Sequence, residues 1–393
     1  MKKPVLVINT GSSSIKFAVY EPDGEGGFTL RQKGMVEEIG REPFYTLKDG
    51  EGNELSSCRL EDRVRTHDEC YEWLEGRLAE ILPEGGPSAV GHRVVHGGTE
   101  FMGPALVDDG VVARLSELGP LAPLHQPYNV SGIRAMMKAY PGVPNVACFD
   151  TSFHRTQPRL AQMFGLPMEY YEDGVVRYGF HGLSYEYVLS RLGEISQETA
   201  AGRVVTAHLG AGASMCATLG GKSVATTMGF TALDGLPMGT RSGGIDPGVI
   251  FYLEREKGMT ADEVEEFLYK KSGLLGISGV SSDMRELEAS DAPGAKLAVD
   301  YFAYRIVRET GSLAAALGGL DALVFTAGIG ENSALVREKV CEGLSWLGVE
   351  LDGEANSRNA LVISTGKSRA GVYAIPTNEE LVIAIKTTKM ISG

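Results

Sequence analysis

The most constraining feature of this sequence is a design that occurs twice. Val7-Ile8-Asn9-Thr10-Gly11-Ser12-Ser13-Ser14 is an apolar run that ends in a loop of small residues. Ala207-His208-Leu209-Gly210-Ala211-Gly212-Ala213-Ser214 repeats it, and Gly210 lies 199 residues after Gly11 in a chain of 393. Val5 to Ile8 reads as a buried strand with Ile15 to Tyr20 as its hairpin partner, so one such hairpin is predicted in each half. A duplicated two-domain protein follows, with its ligand expected in the cleft between the halves, where pockets are common. Strand, glycine loop and strand also make an ordinary hairpin, and the echo alone leaves both readings open.

The length divides into two or three units at roughly 150 residues each and allows ~70–75% of the unfolded surface to be buried. Glycine supplies 51 of the 393 residues, well above the usual ~7%, without a collagen period, and it clusters in short loops. The net charge is −14, from 37 basic and 51 acidic residues. That balance argues against general nucleic-acid or anionic-membrane binding. An anion would have to be held by a few local basic groups and backbone N–H donors. The cysteines, Cys58, Cys70, Cys148, Cys216 and Cys341, are odd in number and form no C-x-x-C, which points to reduced thiols in a cytoplasmic protein rather than to a disulfide framework or a zinc site. The apolar run Pro4 to Ile8 is too short for a signal sequence. Gly311 to Gly330 contains Asp321 and several glycines, and reads as a helix end, a turn and a buried strand rather than a membrane span.

Val204 to Ala207 and Ala322 to Thr326 read as further apolar strands, each ending at a glycine loop. Thr260-Ala261-Asp262-Glu263 is a capping box; Val264, Phe267 and Leu268 then form a helical stripe, which Gly273 is expected to stop. Asp291-Ala292-Pro293 opens a long helix running to Gly318-Gly319. Strands alternating with helices predict an α/β fold.

Three glycine loops are candidates for phosphate contacts: Asn9 to Ser14, His208 to Ser214, and Gly328-Ile329-Gly330-Glu331-Asn332. Small residues let backbone N–H groups approach phosphate oxygens. The third loop is expected to lead into a helix starting near Asn332, whose N-terminus favours an anion. Tight turns would look the same. Gly221-Lys222-Ser223 and Gly366-Lys367-Ser368 lack the earlier glycine of a Walker loop. Arg93, in Gly91-His92-Arg93-Val94-Val95-His96-Gly97-Gly98, and Arg241, in Met238-Gly239-Thr240-Arg241-Ser242-Gly243-Gly244, suit bidentate anion recognition, and would equally serve in ordinary ion pairs. His125 and His181 sit beside turn residues, where structural histidines also occur. Asp150 ends an apolar run, the usual place for a functional carboxylate in an α/β fold, or for a strand-end cap.

The stretches VINTGSSSIKF (7–17), GHRVVHGG (91–98), FDTSFH (149–154), YGFHG (178–182), HLGAGAS (208–214), MGTRSGGIDPG (238–248), GLLGISGVSSDMRELE (273–288), TAGIGENS (326–333) and IPTNEEL (375–381) together resemble the acetate kinase family, part of the superfamily of acetate and sugar kinases, heat-shock chaperones and actin. They span nearly the whole chain in family order. The resemblance implies two duplicated actin-like (ribonuclease H-like) domains, 1–150 with 380–393 and 151–379, the second carrying the nucleotide site. It implies reversible, direct in-line phosphoryl transfer from ATP to acetate, giving acetyl phosphate and ADP, with Mg²⁺ or Mn²⁺, in a cytoplasmic homodimer. By the same resemblance, Asn9 and Glu379 form the metal site. Arg93 and Arg241 bracket the carboxylate and the transferring phosphoryl, His181 stabilises that group in flight, Asp150 is the essential carboxylate and His125 a supporting contact. Lys16 and His208, Leu209, Gly210, Ala211 and Gly212 meet the nucleotide phosphates; Asp283, Met284 and Arg285 border the adenosine; Gly328, Ile329, Gly330, Glu331 and Asn332 complete that pocket. Val95, Leu124 and Phe180 wall the acyl methyl, with Ala232 nearby. An acetate carboxyl, with a pKa of ~4–5, is already ionised at neutral pH, so Asp150 is expected to position groups rather than to remove a proton.

The departures are specific. Ala211 replaces the Asn of HLGNGAS. LHNP becomes Leu124-His125-Gln126-Pro127, and HGTSH becomes His181-Gly182-Leu183-Ser184-Tyr185. Ala232 stands where the family has a Pro lining the acetate pocket, which leaves room for propionate. A butyrate kinase would carry INPGSTSTK at the first loop, unlike Ile8-Asn9-Thr10-Gly11-Ser12-Ser13-Ser14-Ile15-Lys16. The other rivals are a propionate kinase, a pyrophosphate-dependent relative, an actin- or chaperone-like ATPase, and a catalytically dead binding protein.

Overall fold

Runs of apolar, largely β-branched residues bury both faces of a strand, as parallel strands in α/β proteins require. The computed structural model describes residues 3–24, 27–123 and 125–392. Among these, eight strands form a first sheet: β1 (Val5–Thr10), β2 (Ile15–Pro22), β3 (Phe28–Glu37), β4 (Phe44–Asp49), β5 (Glu54–Arg59), β6 (Ala89–Val94), β7 (Ala105–Leu106) and β8 (Asn145–Phe149), in the order β5-β4-β3-β2-β1-β6-β8-β7. Five more form a second: β9 (Arg203–Leu209), β10 (Ala213–Leu219), β11 (Lys222–Thr226), β12 (Ala322–Thr326) and β13 (Gly371–Ala374), in the order β11-β10-β9-β12-β13. β1 runs antiparallel to β2 and parallel to β6, and β6 parallel to β8. β9 likewise runs antiparallel to β10 and parallel to β12, and β12 parallel to β13. The run β3-β2-β1-β6-β8 therefore repeats the order and direction of the whole second sheet. The two predicted hairpins are β1–β2 and β9–β10, and the duplication extends well beyond them.

The chain separates into two compact units, one running to Phe153 and resuming at Asn378, the other His154–Thr377. The boundary differs from the expected one at 379/380. Glu379 opens the helix Glu379–Ser392, which packs on β1, β6 and β8 and so belongs to the first unit.

In that unit Leu6, Ile8 and Val90 share a core with Cys70, Tyr71, Leu74 and Leu78 of the helix His67–Ile81. Alternate strand residues face the closing helix. Gly91, in register with Val7, meets it so closely that a Cβ would stand 2.3 Å from Thr387 Oγ1 and 2.6 Å from Ile383 Cγ2.

In the second unit the helix Pro293–Leu317 packs on β9, β10 and β11, starting at its proline and ending on Gly318 in the left-handed region, as the sequence punctuation predicts. The capping box at Thr260 closes on Glu263 and opens the helix Ala261–Lys270. Val264 and Leu268 are buried there, but Phe267 is 37% exposed, so the stripe is narrower than expected. Gly273 does not stop this helix, which is capped at Lys271. It opens the next one, Gly273–Ser278, at φ +61°. A Cβ there would lie 2.1 Å from Met238 O and 2.6 Å from Arg241 O, so a glycine is needed because the Arg241 loop rests on its backbone. Four of the five cysteines are buried, and no disulfide joins any two of the five. No described helix is long and apolar enough to cross a membrane.

Gly91→Ala should lower stability by about 1–3 kcal/mol through overpacking, read as a reduced denaturant midpoint; an unchanged midpoint would mean that the closing helix is not seated on β6. Acid should act through the buried histidines. His92 is buried, with Nε2 2.8 Å from Asn145 Oδ1, an amide whose Nδ2 donates to Val143 O at 2.9 Å. Burial lowers its pKa to about 4, and does the same for His154. Unfolded histidine titrates near ~6.5. Between those values the unfolded chain binds protons that the folded chain refuses, so stability should fall as pH drops. Urea unfolding at about pH 7.5 and about pH 5 should show the loss, with a shallower pH slope in His92→Gln.

Candidate active site

The carboxyl ends of parallel strands are where α/β folds bind ligands, and in the first unit those ends carry the charged residues singled out by the sequence. Arg93 lies near the end of β6, Asp150 directly after β8, and Asn9 at the end of β1, one residue past the Ile8–His92 register pair. Arg93 Nη2 donates to Asp150 Oδ2 at 2.8 Å and Nε to Oδ1 at 3.1 Å, a bidentate pair. Its Nη1 stands 3.2 Å from Glu379 Oε2. Two carboxylates thus share one guanidinium, whose pKa they raise despite its burial. Burial pushes the Glu379 carboxyl up to about 7; Arg93 opposes the shift, and Asp150 and Glu380 add to it. Lys16, exposed on β2 opposite Asn9, also acts on Glu379 electrostatically. Arg93 therefore faces two carboxylates, with Lys16 on the neighbouring strand as a further cation. Asn9 and Glu379 offer hard oxygen donors, and Mg²⁺ is usually held by one or two carboxylates, water and substrate phosphates rather than by an all-protein cage. The residues present fit such an ion. Arg93 occupies both oxygens of Asp150.

A residue that sequence reading missed supports this edge. Asn129 is buried, accepts Val95 N on Oδ1 at 2.9 Å and donates Nδ2 to Thr10 O at 2.8 Å, joining the ends of β1 and β6. Val95 is buried beside Arg93 in sequence. His125 caps the helix Gln126–Ala139 through its backbone position, without a side-chain cap bond. Leu124 lies outside the described residues.

In the second unit, the Gly210–Gly212 loop joins β9 to β10. A Cβ on Gly212 would lie 3.4 Å from His181 Nε2 and 3.9 Å from Arg241 Nη1, so this loop, the histidine and the arginine converge. Gly239 N donates to Ala211 O at 3.3 Å, tying the Arg241 loop to the phosphate-type loop. Arg241 Nη1 donates to Ala232 O at 3.1 Å and touches Met238 Sδ at 3.7 Å. No carboxylate among the described residues pairs with it, and burial lowers its pKa. A half-buried cation so placed suits an anionic ligand. His181 caps the helix Gly182–Ile195 with φ +59°, an unusual conformation for a side chain of this size. Its Nδ1 is 2.8 Å from Ser214 Oγ, and its ring stacks on His208 at 4.1 Å. Phe180, Leu209 and His208 are buried.

Gly328 to Asn332 is not a loop. Ala327–Asn332 forms a short helix directly after β12, entered through Ala327 at φ +64°. Close packing explains it: a Cβ on Gly330 would lie 3.3 Å from the Phe325 carbonyl carbon, and fully buried Arg337 donates Nη1 to Gly330 O at 2.9 Å. The next helix starts at Ala334, capped by Ser333, close to the expected start near Asn332. Glu331 Oε1 accepts Thr377 N at 3.0 Å, Asn332 Nδ2 donates to Gly328 O at 2.8 Å, and Ile329 is half-buried. Asp283 caps the helix Met284–Ala289 and pairs with exposed Arg285 at 2.5 Å. Met284 is buried, so Asp283 and Arg285 supply the outward-facing groups of that segment.

A duplicated actin-like α/β fold whose strand ends carry arginines, histidines and glycine loops suits phosphoryl transfer, which needs positioning and charge stabilisation. The chain belongs to the acetokinase family, which it matches over residues 4–385. It is 52% identical over 392 residues to an acetate kinase of Nitrobacter hamburgensis, covering 98% of this chain and 96% of that one. Its fold matches that of Porphyromonas gingivalis acetate kinase with a TM-score of 0.89 at 39% identity, covering 99% of this chain and 100% of that one. It also matches a propionate kinase of Francisella tularensis, with a TM-score of 0.92 at 37% identity and the same coverage. Enzymes of this family transfer phosphate to a carboxylate.

The two arginines should respond differently to removal. Arg241→Ala should lower turnover by orders of magnitude, as loss of a charge-stabilising donor does, with the fold intact, because the side chain holds only a carbonyl and a thioether. Arg93→Ala should cost turnover similarly and also destabilise by on the order of 3 kcal/mol, since two carboxylates lose their shared cation. Steady-state rates and denaturant midpoints on both variants test this; near-normal turnover in either rejects its assignment.

Proposed function

We propose that this chain catalyses reversible, Mg²⁺-dependent transfer of the γ-phosphoryl group of ATP directly to acetate, giving acetyl phosphate and ADP. The observation that carries this reading is the half-buried guanidinium of Arg241, without a carboxylate partner among the described residues, beside His181 Nε2 and the Gly210–Gly212 loop. A transferring phosphoryl spreads charge over its equatorial oxygens, so catalysis is positioning and electrostatic stabilisation. Arg241 and His181 supply cationic and N–H donors for that charge, and Arg93, held rigid by Asp150, binds the acetate carboxylate. His125 is a supporting contact. The backbone of His208 to Gly212, with Lys16, takes the nucleotide phosphates; Asp283, Arg285 and the Gly328–Asn332 helix take the nucleoside. Asn9 and Glu379 would hold Mg²⁺, which when bound neutralises phosphate charge. A cytoplasmic homodimer accompanies this reading on the strength of the family resemblance.

Propionate is the second reading, favoured by Ala232 and by the likeness to a propionate kinase. A single methylene discriminates by only ~10–200-fold. The test is acyl phosphate formation from Mg-ATP, trapped with hydroxylamine, across formate, acetate, propionate and butyrate. Acid-dependent product is expected, highest with acetate and with propionate within ~10-fold in kcat/KM. A propionate value far lower rejects the enlarged pocket, and ATP hydrolysis independent of any acid rejects the kinase.

A further inference from the structure

His181 stands in a hydrogen-bonded chain that extends away from the substrate side of its ring. Its Nδ1 is 2.8 Å from Ser214 Oγ, and Ser214 Oγ is 2.5 Å from Tyr185 Oη. Ser214 and Tyr185 are fully buried. Tyr185 lies one turn along the helix that His181 caps, its N–H donating to His181 O at 3.1 Å, and Ser214 lies on β10 opposite His208 on β9. His208 stacks on the His181 ring with the planes 16° apart, and its own Nδ1 is 2.8 Å from Ser184 Oγ. The left-handed backbone at His181 is held from behind, where His154 Nε2 lies 2.9 Å from Phe180 O. Strain of this kind persists only where the surroundings over-determine it.

The group at Nδ1 is a hydroxyl. A carboxylate there would fix the proton on Nδ1 and prepare the ring as a general base, as in acyl-transfer triads. A hydroxyl can give or take a hydrogen bond. A phosphoryl oxygen in front of Nε2 is served only by an Nε2–H, so a neutral ring must carry its hydrogen there and accept at Nδ1. Ser214 is then the donor, and its oxygen accepts from Tyr185. Each hydroxyl has one hydrogen, so a single direction satisfies the chain: Tyr185 to Ser214 to His181 to phosphoryl oxygen. Aligned donors of this kind strengthen one another.

We propose that Ser214, backed by Tyr185, is a positioning residue that holds His181 as the Nε2–H tautomer aimed at the transferring phosphoryl group. This rests on the phosphoryl-stabilising role proposed for His181. Ser214→Ala should lower kcat about 10–100-fold, the cost usual for losing a partner that orients a functional histidine, with KM for acetate and ATP within about threefold. Tyr185→Phe should lower kcat in the same sense by less. Nitrogen-15 NMR of the imidazole should show one tautomer, Nε2–H, in the native protein and a mixture in Ser214→Ala. In a His181→Ala background, Ser214→Ala should cost nothing further. Native kcat with unchanged imidazole shifts in Ser214→Ala, or an undiminished loss in the His181→Ala background, overturns the relay. Should Ser214→Ala fail to fold, Tyr185→Phe is read by the same measurements, and the same outcomes support or overturn the relay. Native turnover in His181→Ala would instead overturn the role of His181 and the proposal with it, whereas loss in His181→Ala without loss in Ser214→Ala overturns the relay alone.

Discussion

Arg93 gathers three distant parts of the first unit around one positive charge. It rises near the end of β6, grips Asp150 after β8 through two hydrogen bonds, and reaches Glu379 at the start of the closing helix. A buried carboxylate is tolerated only when it is paired, so the geometry of this edge hangs on that guanidinium. The same arrangement orders the chemistry. Asp150 spends both oxygens on Arg93. Glu379 meets the third nitrogen of the same guanidinium, and its burial, opposed by Arg93, holds its carboxyl up at about 7.

The second unit holds two arginines in different surroundings, Arg337 fully buried and Arg241 half-buried. Arg337 donates to Asn356 Oδ1 at 2.7 Å, Asn356 O at 2.8 Å, Asn359 Oδ1 at 2.5 Å and Gly330 O at 2.9 Å. Its fork is filled by fixed carbonyl groups, and it braces the short helix after β12. Arg241 has one carbonyl and a sulfur, and it lies in a loop pinned by Gly239, Gly273 and Leu274. A pinned loop presenting a guanidinium that has no carboxylate partner among the described residues suits an anionic ligand. His181 and Ala327 are also non-glycine residues at positive φ, one beside the Gly210–Gly212 loop and one directly after the strand that pairs with β9.

Much of this was legible in the sequence, and for a physical reason. Strand, hairpin and helix ends are set by neighbours within a few residues, so the β1–β2 and β9–β10 hairpins, the Thr260 capping box and the Pro293-to-Gly318 helix emerge from local pattern alone. The glycine of Gly273 misled because its role is not local: it is small for the sake of Met238 O and Arg241 O, more than thirty residues earlier. The stretch after β12 misled for the same reason, its helix being enforced by Arg337 and by close contact with Phe325.

What the sequence by itself determined is the α/β class, the duplication, the family and the chemical types gathered at the strand ends. Residue identity and short-range spacing suffice for these, because hydrogen-bond periodicity and turn chemistry act over short distances. The tertiary structure alone decided which arginine is satisfied and which is open, which carboxylate is locked and which is left with an unusual pKa, and which hydroxyl stands behind His181. Those properties belong to pairs of groups brought within 2.5–3.3 Å from positions as far apart as 93 and 379, and the free energy of a buried charge depends on what surrounds it, not on where it falls along the chain.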